Sequence, residues 1–176
     1  MSDSLLDRVN KGILGLKPYE PGKPITETQK ELGIKNIIKL ASNENPLGIS
    51  PKAFKVISEN KDLNRYPDGN ATSFKEVVSQ IEKIKTSMIT VGNGSNDLIE
   101  FVSKCFLSEG DNAIYSQHGF AIYPLAIKST GAKAIKAKAR DWGHDLNLMK
   151  DLVDENTKVI FLATPNNPTG TVLESG

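Results

Sequence analysis

Three polar loops hold the side chains that could bind or steer a small molecule. The first is Gly92-Asn93-Gly94-Ser95-Asn96-Asp97, which lies between the apolar run Met88–Val91 and a helical pattern starting at Leu98. A glycine-bearing turn that leads into a helix offers free backbone N–H groups, and the helix macrodipole adds a pull on a phosphate. The second is Ser116-Gln117-His118-Gly119-Phe120-Ala121-Ile122-Tyr123. Its aromatics either pack on a sheet or face a flat ligand, where stacking adds about 0.5–1.5 kcal/mol beyond burial. The third is Thr164-Pro165-Asn166-Asn167-Pro168-Thr169-Gly170, which follows the unbroken apolar run Val159–Ala163. Asn167–Gly170 fits a type I turn, with proline second and glycine fourth. Two readings stand side by side. The turn closes a strand buried on both faces, or it aims an amide into the crevice where open α/β sheets bind ligands.

Other chemistries find little support. The first loop has Asp97 where the dinucleotide fingerprint needs its third glycine, and no Gly-Lys-Ser/Thr follows to make a P-loop. A plain Asn-Gly turn stays open as its alternative. His118 and His144 are the only histidines. No serine–acid pair stands at a suggestive spacing, and no clustered carboxylates accompany the histidines, so neither a nucleophilic triad nor a metal site is expected. Asp141 and Asp145 flank His144 in what reads as a solvated helix-capping loop. Cys105, the single cysteine, excludes an intramolecular disulfide and falls on the apolar side of a helical pattern, as a buried structural thiol would.

The elements that must position these loops follow from periodicity. Leu5, Leu6, Val9 and Ile13 share one side of a short amino-terminal helix or arm, and Pro18, Pro21, Gly22 and Pro24 then force an extended segment. Ile37–Leu40 reads as a short strand. Ser50 before Pro51 starts a helix running to about Glu59, and Ser73-Phe74-Lys75-Glu76 has the form of a capping box. Behind that box Phe74, Val77, Val78, Ile81 and Ile84 mark one face of an amphipathic helix. Leu98, Phe101, Val102, Cys105 and Phe106 mark another. Strands are expected at 88–91, 113–115, 134–137 and 159–163, with helices at 98–106, 121–129 and 146–153 between them. This alternation predicts a parallel sheet with helices on its faces, and it puts all three loops at one sheet edge.

The 176 residues suffice for one ordinary domain with a real core. A net charge of +1, with lysines scattered and not interleaved with aromatics, gives no electrostatic reason for a nucleic-acid or membrane partner. There is no apolar run of signal-peptide or membrane-spanning character, so a cytoplasmic protein is the default expectation.

Six segments taken in order carry a family resemblance. They are Pro18-Tyr19, LASNENPLG at 40–48, RYPDG at 65–69, VGNGSND at 91–97, the aromatic loop near Phe120, and TPNNPTG at 164–170. In this order and spacing they resemble the pyridoxal-phosphate-dependent aminotransferases of fold type I, and within them the histidinol-phosphate aminotransferases. The resemblance covers nearly the whole chain. It implies an α/β fold, the three-layer α/β/α large domain of fold type I, truncated and preceded by an N-terminal arm and the first segment of the small domain. The boundary would fall between 1–48 and 49–176.

The resemblance also implies site roles, with pyridoxal 5'-phosphate as the cofactor. Ser95 and Asn96 would bond the cofactor phosphate, Phe120 would lie over the pyridine ring, and Asn167 would bond the ring's phenolic oxygen. Tyr66 would reach the phosphate of the neighbouring subunit in a homodimer. Tyr19 would approach the neighbour's substrate, and Asn43 would border the substrate carboxylate. The expected substrates are small amino acids and oxo acids, with amino transfer between glutamate/2-oxoglutarate and imidazole-acetol phosphate in histidine synthesis. A related aromatic aminotransferase or decarboxylase of the same fold, or a non-catalytic remnant, is the alternative.

In the family the Schiff-base lysine, the aspartate facing the ring nitrogen and the carboxylate-binding arginine come later than the TPNNPTG turn. No catalytic residue is therefore expected in these 176 residues, and the chain alone is expected to be inactive. The family sheet has seven strands in the order 3-2-4-5-6-7-1. The strand at 88–91 would correspond to strand 1 without its neighbour, and Val159–Ala163 to strand 4, left as an uncovered edge of a poorly stable chain.

Overall fold

A computed structural model describes residues 9–19, 22–40 and 42–174. Seven α-helices and three strands follow one another among them: α1 Lys11–Leu14, α2 Ile25–Leu32, α3 Pro51–Glu59, α4 Thr72–Glu82, α5 Ser95–Phe106, β1 Asn112–Ser116, α6 Ile122–Ser129, β2 Lys133–Ala137, α7 Leu146–Asp151 and β3 Thr157–Phe161. Two compact units result, one from 20–89 and one from 1–19 together with 90–176.

In the second unit the sheet is parallel and ordered β2-β1-β3. This is the 3-2-4 order that the resemblance implies. Alternation along the central strand sends successive side chains to opposite faces. Ala113 joins Leu107, Tyr123, Ile127, Ala132 and Phe161 in one core cluster, while Ile114 joins Ala137 and Met149 in another. The first cluster lies under α6 and the second under α7, which gives the three-layer α/β/α arrangement expected. Asn112 pins the register at the start of β1. Its Nδ2 donates to Asp154 Oδ1 at 2.7 Å, and its Oδ1 accepts from the Thr157 hydroxyl at 2.8 Å. Asn112 pairs with Thr157 but Ala113 pairs with Val159, so Lys158 is the extra residue of a bulge.

Several expectations are corrected. The 88–91 segment is not a strand: Thr86–Met88 forms a 3-10 turn, and Ile89 is extended without a ladder partner. Extended backbone becomes a strand only when a neighbour takes its hydrogen bonds, and none lies beside it among the described residues. Ile37–Leu40 also has no ladder partner among the described residues and forms no strand. The strand that opens at Thr157 is not buried on both faces. As the sheet's edge it alternates, with Lys158 and Ile160 exposed and Phe161 buried.

Ser73 and Glu76 form no capping box, because α4 already starts at Thr72. The carboxylate of Asp68 takes the free N–H groups, accepting from Thr72 N at 2.8 Å and Asn70 N at 2.9 Å. Ser50 makes no side-chain cap bond, although Pro51 does open α3. Cys105 is exposed. The face of α5 that meets the core runs through Ile99 and the buried Ser103, which leaves Phe101, Val102 and Phe106 exposed with Cys105. On α4, Phe74, Val77 and Ile81 are exposed as well.

Of the amino-terminal arm, Leu5 and Leu6 lie outside the described residues. Helix α1 docks on α6 of its own chain, and Gly12 sits against the Lys128 carbonyl. A Cβ at position 12 would collide with that oxygen and stand 2.9 Å from the Gly131 nitrogen, so the approach requires glycine here.

Candidate cofactor site

The second and third loops leave the carboxyl ends of β1 and β3, neighbouring parallel strands, and therefore emerge at the same sheet edge. One side chain joins them. Asn166 Nδ2 donates to the His118 carbonyl at 3.0 Å and to Thr169 Oγ1 at 2.7 Å. The turn is closed by two backbone bonds, Gly170 N to Asn166 O at 2.7 Å and Asn166 N to Thr171 O at 2.8 Å. The type I expectation is corrected accordingly: the closing bond encloses five residues, from 166 to 170, where a type I turn has four; the peptides before Pro165 and Pro168 are both cis. Gly170 has φ +73°, a value glycine adopts without cost.

In the aromatic loop Gly119 N donates to Ser116 O at 2.8 Å, which turns the chain sharply after β1. Phe120 then packs edge-on to Tyr123, with ring centroids 6.0 Å apart, and keeps part of its surface accessible. Burial raises the pKa of Tyr123, whose ring belongs to the core.

The first loop follows extended backbone and not a strand, but it keeps its helix N-terminus. Gly94, at φ +88°, is the N-cap of the twelve-residue α5 and provides no side chain to its first turn. Asp97 bonds backward to Asn93 N at 2.9 Å, and Gly94 N bonds to Gly92 O at 2.9 Å. A Cβ on Gly92 would meet Asp97 and Leu98 side-chain carbons at 3.0–3.3 Å, so glycine lets the loop close tightly on the helix. Ser95 and Asn96 occupy the first two helical positions and are exposed. One turn further on, Ile99 packs on the same core cluster as Phe120. The N-terminus of α5 and the aromatic loop are therefore anchored to one body.

His144 is structural, but it is not the solvated side chain expected of a capping loop: its ring is partly buried. Its Nε2 lies 2.9 Å from the Ala163 carbonyl, holding the chain just before Thr164, and Nδ1 is buried with no partner among the described residues. Asp145 caps α7 by accepting from Leu148 N at 3.0 Å. Among the described residues no three His, Cys, Asp or Glu side chains cluster to hold a metal. None of their helices is long and apolar enough to cross a membrane.

Tyr66 and Asn43 belong to the other unit. Tyr66 is fully exposed, beside a shallow hollow lined by Asn60, Asp62, Leu63 and Arg65. Asn43 has φ +49°. Tyr19 is half exposed at the end of the described arm.

The sequence reading passed over Asn166 and Trp142. Asn166 stands in the same turn as Asn167 and was visible there as a second amide. Trp142 lies at the tip of a tight turn closed by Gly143 N to Arg140 O at 2.8 Å, and its ring meets that of His118 with centroids 4.7 Å apart and planes tilted by 32°. Nothing in its sequence surroundings signals that contact.

A three-layer α/β/α body with a glycine-turned helix N-terminus and an amide turn at the ends of parallel strands defines a class. Residues 35–175 match the family model described as aminotransferase class I and II, and the chain belongs to that family. Within the family it is similar to histidinol-phosphate aminotransferase 2 of Pseudomonas fluorescens, with 48% identity over 97% of this chain and 47% of that protein. It is 49% identical to histidinol-phosphate aminotransferase 1 of Mannheimia succiniciproducens, again over 97% and 47% of the two chains. The chain thus spans about half the length of the curated relatives it matches.

Among solved structures, the histidinol-phosphate aminotransferase of Sinorhizobium meliloti in complex with pyridoxal-5'-phosphate shares the fold. The match has a TM-score of 0.81 and 21% identity, and covers 93% of this chain and 44% of that one. The histidinol-phosphate aminotransferase of Clostridium acetobutylicum matches with a TM-score of 0.63 and 27% identity, over 76% and 39%.

Proposed function

We propose that this chain carries the phosphate-and-ring side of a pyridoxal 5'-phosphate site in a histidinol-phosphate aminotransferase. Residues 1–48 would form the arm and first small-domain segment, and 49–176 the first part of the large domain. The chemistry of the donor set fits the group. An uncapped helix N-terminus suits a phosphate dianion, an accessible phenyl ring suits a pyridine face, and a turn amide suits a phenolic oxygen. The observation that carries the reading is the Asn166–His118 bond, which holds the Phe120 loop and the Asn167 turn together at one sheet edge.

When bound, the cofactor supplies an electron sink for the carbon that exchanges its amino group. The chain's own residues bind and orient it. Backbone N–H groups at Ser95 and Asn96, with the Ser95 hydroxyl, hold the phosphate. Phe120 covers one ring face, and Asn167 donates to the phenolic oxygen. Tyr66 is assigned to the cofactor phosphate of a second subunit in a homodimer, Tyr19 to that subunit's substrate, and Asn43 to the substrate carboxylate. The substrates are glutamate/2-oxoglutarate and imidazole-acetol phosphate, and the enzyme is cytoplasmic. None of these residues is assigned the proton transfer between substrate and cofactor, and the 176 residues by themselves are expected to be inactive.

The test compares pyridoxine 5'-phosphate with pyridoxine. Both lack the aldehyde and cannot react with surface lysines. The phosphorylated ligand should bind at least tenfold more tightly, and Ser95→Ala should reduce that preference. Equal binding of the two ligands would refute the phosphate site. Turnover with a borohydride-stable adduct on one of the chain's own lysines would refute its inactivity.

A further inference from the structure

Asn166 is 3% exposed and engages four partners: His118 O and Thr169 Oγ1 through its side chain, Thr171 O and Gly170 N through its backbone. Its Oδ1 is buried and has no partner among the described residues. A buried amide with one of its atoms unsatisfied is costly, so its retention calls for a compensating role. Neighbouring residues indicate what that role is. Asn166 directly precedes Asn167, and the His118 carbonyl it grips lies two residues before Phe120. The bridge is extended by Thr169 Oγ1, which lies 3.1 Å from Thr171 Oγ1 and so ties the far side of the turn to the same network.

His118 is held from its other side as well. Asp141 and Trp142 both adopt the left-handed region, at φ +47° and +64°, and the turn they form puts the indole against the His118 ring. For a non-glycine residue such backbone is strained and persists only where the surroundings enforce it.

We propose that Asn166 is a positioning residue whose buried side-chain amide, by tying the His118 carbonyl to the Thr169 hydroxyl, sets the separation between Phe120 and Asn167. The inference rests on the cofactor-site reading above. It assigns to the first amide of the turn a task different from that of the second: Asn167 meets the ligand, and Asn166 fixes where Asn167 and Phe120 stand.

The chain contains one tryptophan, Trp142, and its emission reports on the His118 contact. Asn166→Asp keeps the shape, removes the donor and sets an oxygen against the His118 carbonyl. The expected result is Trp142 emission moved towards that of His118→Ala, together with at least fivefold weaker binding of pyridoxine 5'-phosphate and unchanged far-ultraviolet circular dichroism. Thr169→Val, which removes only the second anchor, should move both readouts in the same direction by less, and it decides the matter if Asn166→Asp does not fold. A folded variant with wild-type emission, or with shifted emission and wild-type affinity, overturns the inference. Failure of the wild-type chain to bind the probe overturns the cofactor-site reading and this inference with it. Wild-type binding with unchanged variants overturns this inference alone.

Discussion

The ring of Tyr123 lies over that of Phe161 with centroids 4.8 Å apart and planes inclined by 16°. This stack fastens α6, which starts beside the aromatic loop, to the edge strand β3, which ends just before the Asn167 turn. Among the described residues β3 has a strand neighbour on one side only, so the stack adds to what holds Phe161 ahead of the Asn167 turn. Phe161→Ala should destabilise the chain by about 3–5 kcal/mol, the usual cost of emptying an aromatic site, and Phe161→Leu by clearly less. Urea unfolding followed by circular dichroism measures both.

Asp68 gives a pH dependence whose sign is fixed. The Thr72 side-chain hydrogen bond, with backbone bonds from Thr72 and Asn70, lowers its pKa from 3.8 to about 2. A carboxylate with a depressed folded-state pKa stabilises the fold fully above its unfolded value and loses that contribution as pH falls through the folded one. The α4 N-terminus should therefore keep its cap at pH 5 and fray between about pH 4 and 2. Protection of the Thr72 amide, taken relative to the unfolded-chain exchange rate at each pH, should fall across that window, and Asp68→Asn should flatten the dependence. Asp154, held low chiefly by the Asn112 side chain, acts with the same sign at the start of β1.

Much of the fold was legible because its period was. The β1–α6–β2–α7–β3 alternation, the parallel sheet and the sheet-edge loops follow from apolar runs and turn residues. The failures share a physical origin. Residues 88–91 and 37–40 have strand composition but no neighbour, and the faces of α4 and α5 have helical periodicity but no cover. Periodicity states what a segment would bury and not whether a partner is at hand. Asp68 outcompeted Ser73 because a carboxylate four residues back already satisfied the first N–H of α4. At the site, Phe120 and Asn167 were read from motif resemblance. Asn166 and Trp142 act through contacts 48 and 24 residues away in sequence, His118 being the shared partner, and no local pattern encodes such contacts.

The exposed faces make a prediction about solution behaviour. Ile160 is 43% exposed on the edge strand, and Phe101, Val102 and Phe106 are exposed on α5. An open edge next to apolar surface promotes association. The chain should bind a hydrophobic dye and self-associate at micromolar concentrations, and Ile160→Lys should reduce both, as measured by light scattering. A monodisperse monomer with a sharp cooperative melt would contradict this.

The arm offers a local test. Gly12→Ala places a methyl group against the Lys128 carbonyl and should release α1 from α6 while leaving the sheet intact. Proteolysis near residues 11–19 should quicken, with the sheet's amide protection unchanged.

The central claim is that the Asn166–Gly170 turn, with Phe120 and the α5 N-terminus, forms one side of a cofactor site. Equilibrium titration of the chain with pyridoxine 5'-phosphate, followed by ligand absorbance, tests it most directly. Saturable one-to-one binding is expected, and Asn167→Ala should weaken it by about tenfold, the cost of losing a hydrogen bond to a charged oxygen. A signal that rises linearly without saturating, or saturable binding that Asn167→Ala leaves unchanged, would contradict it.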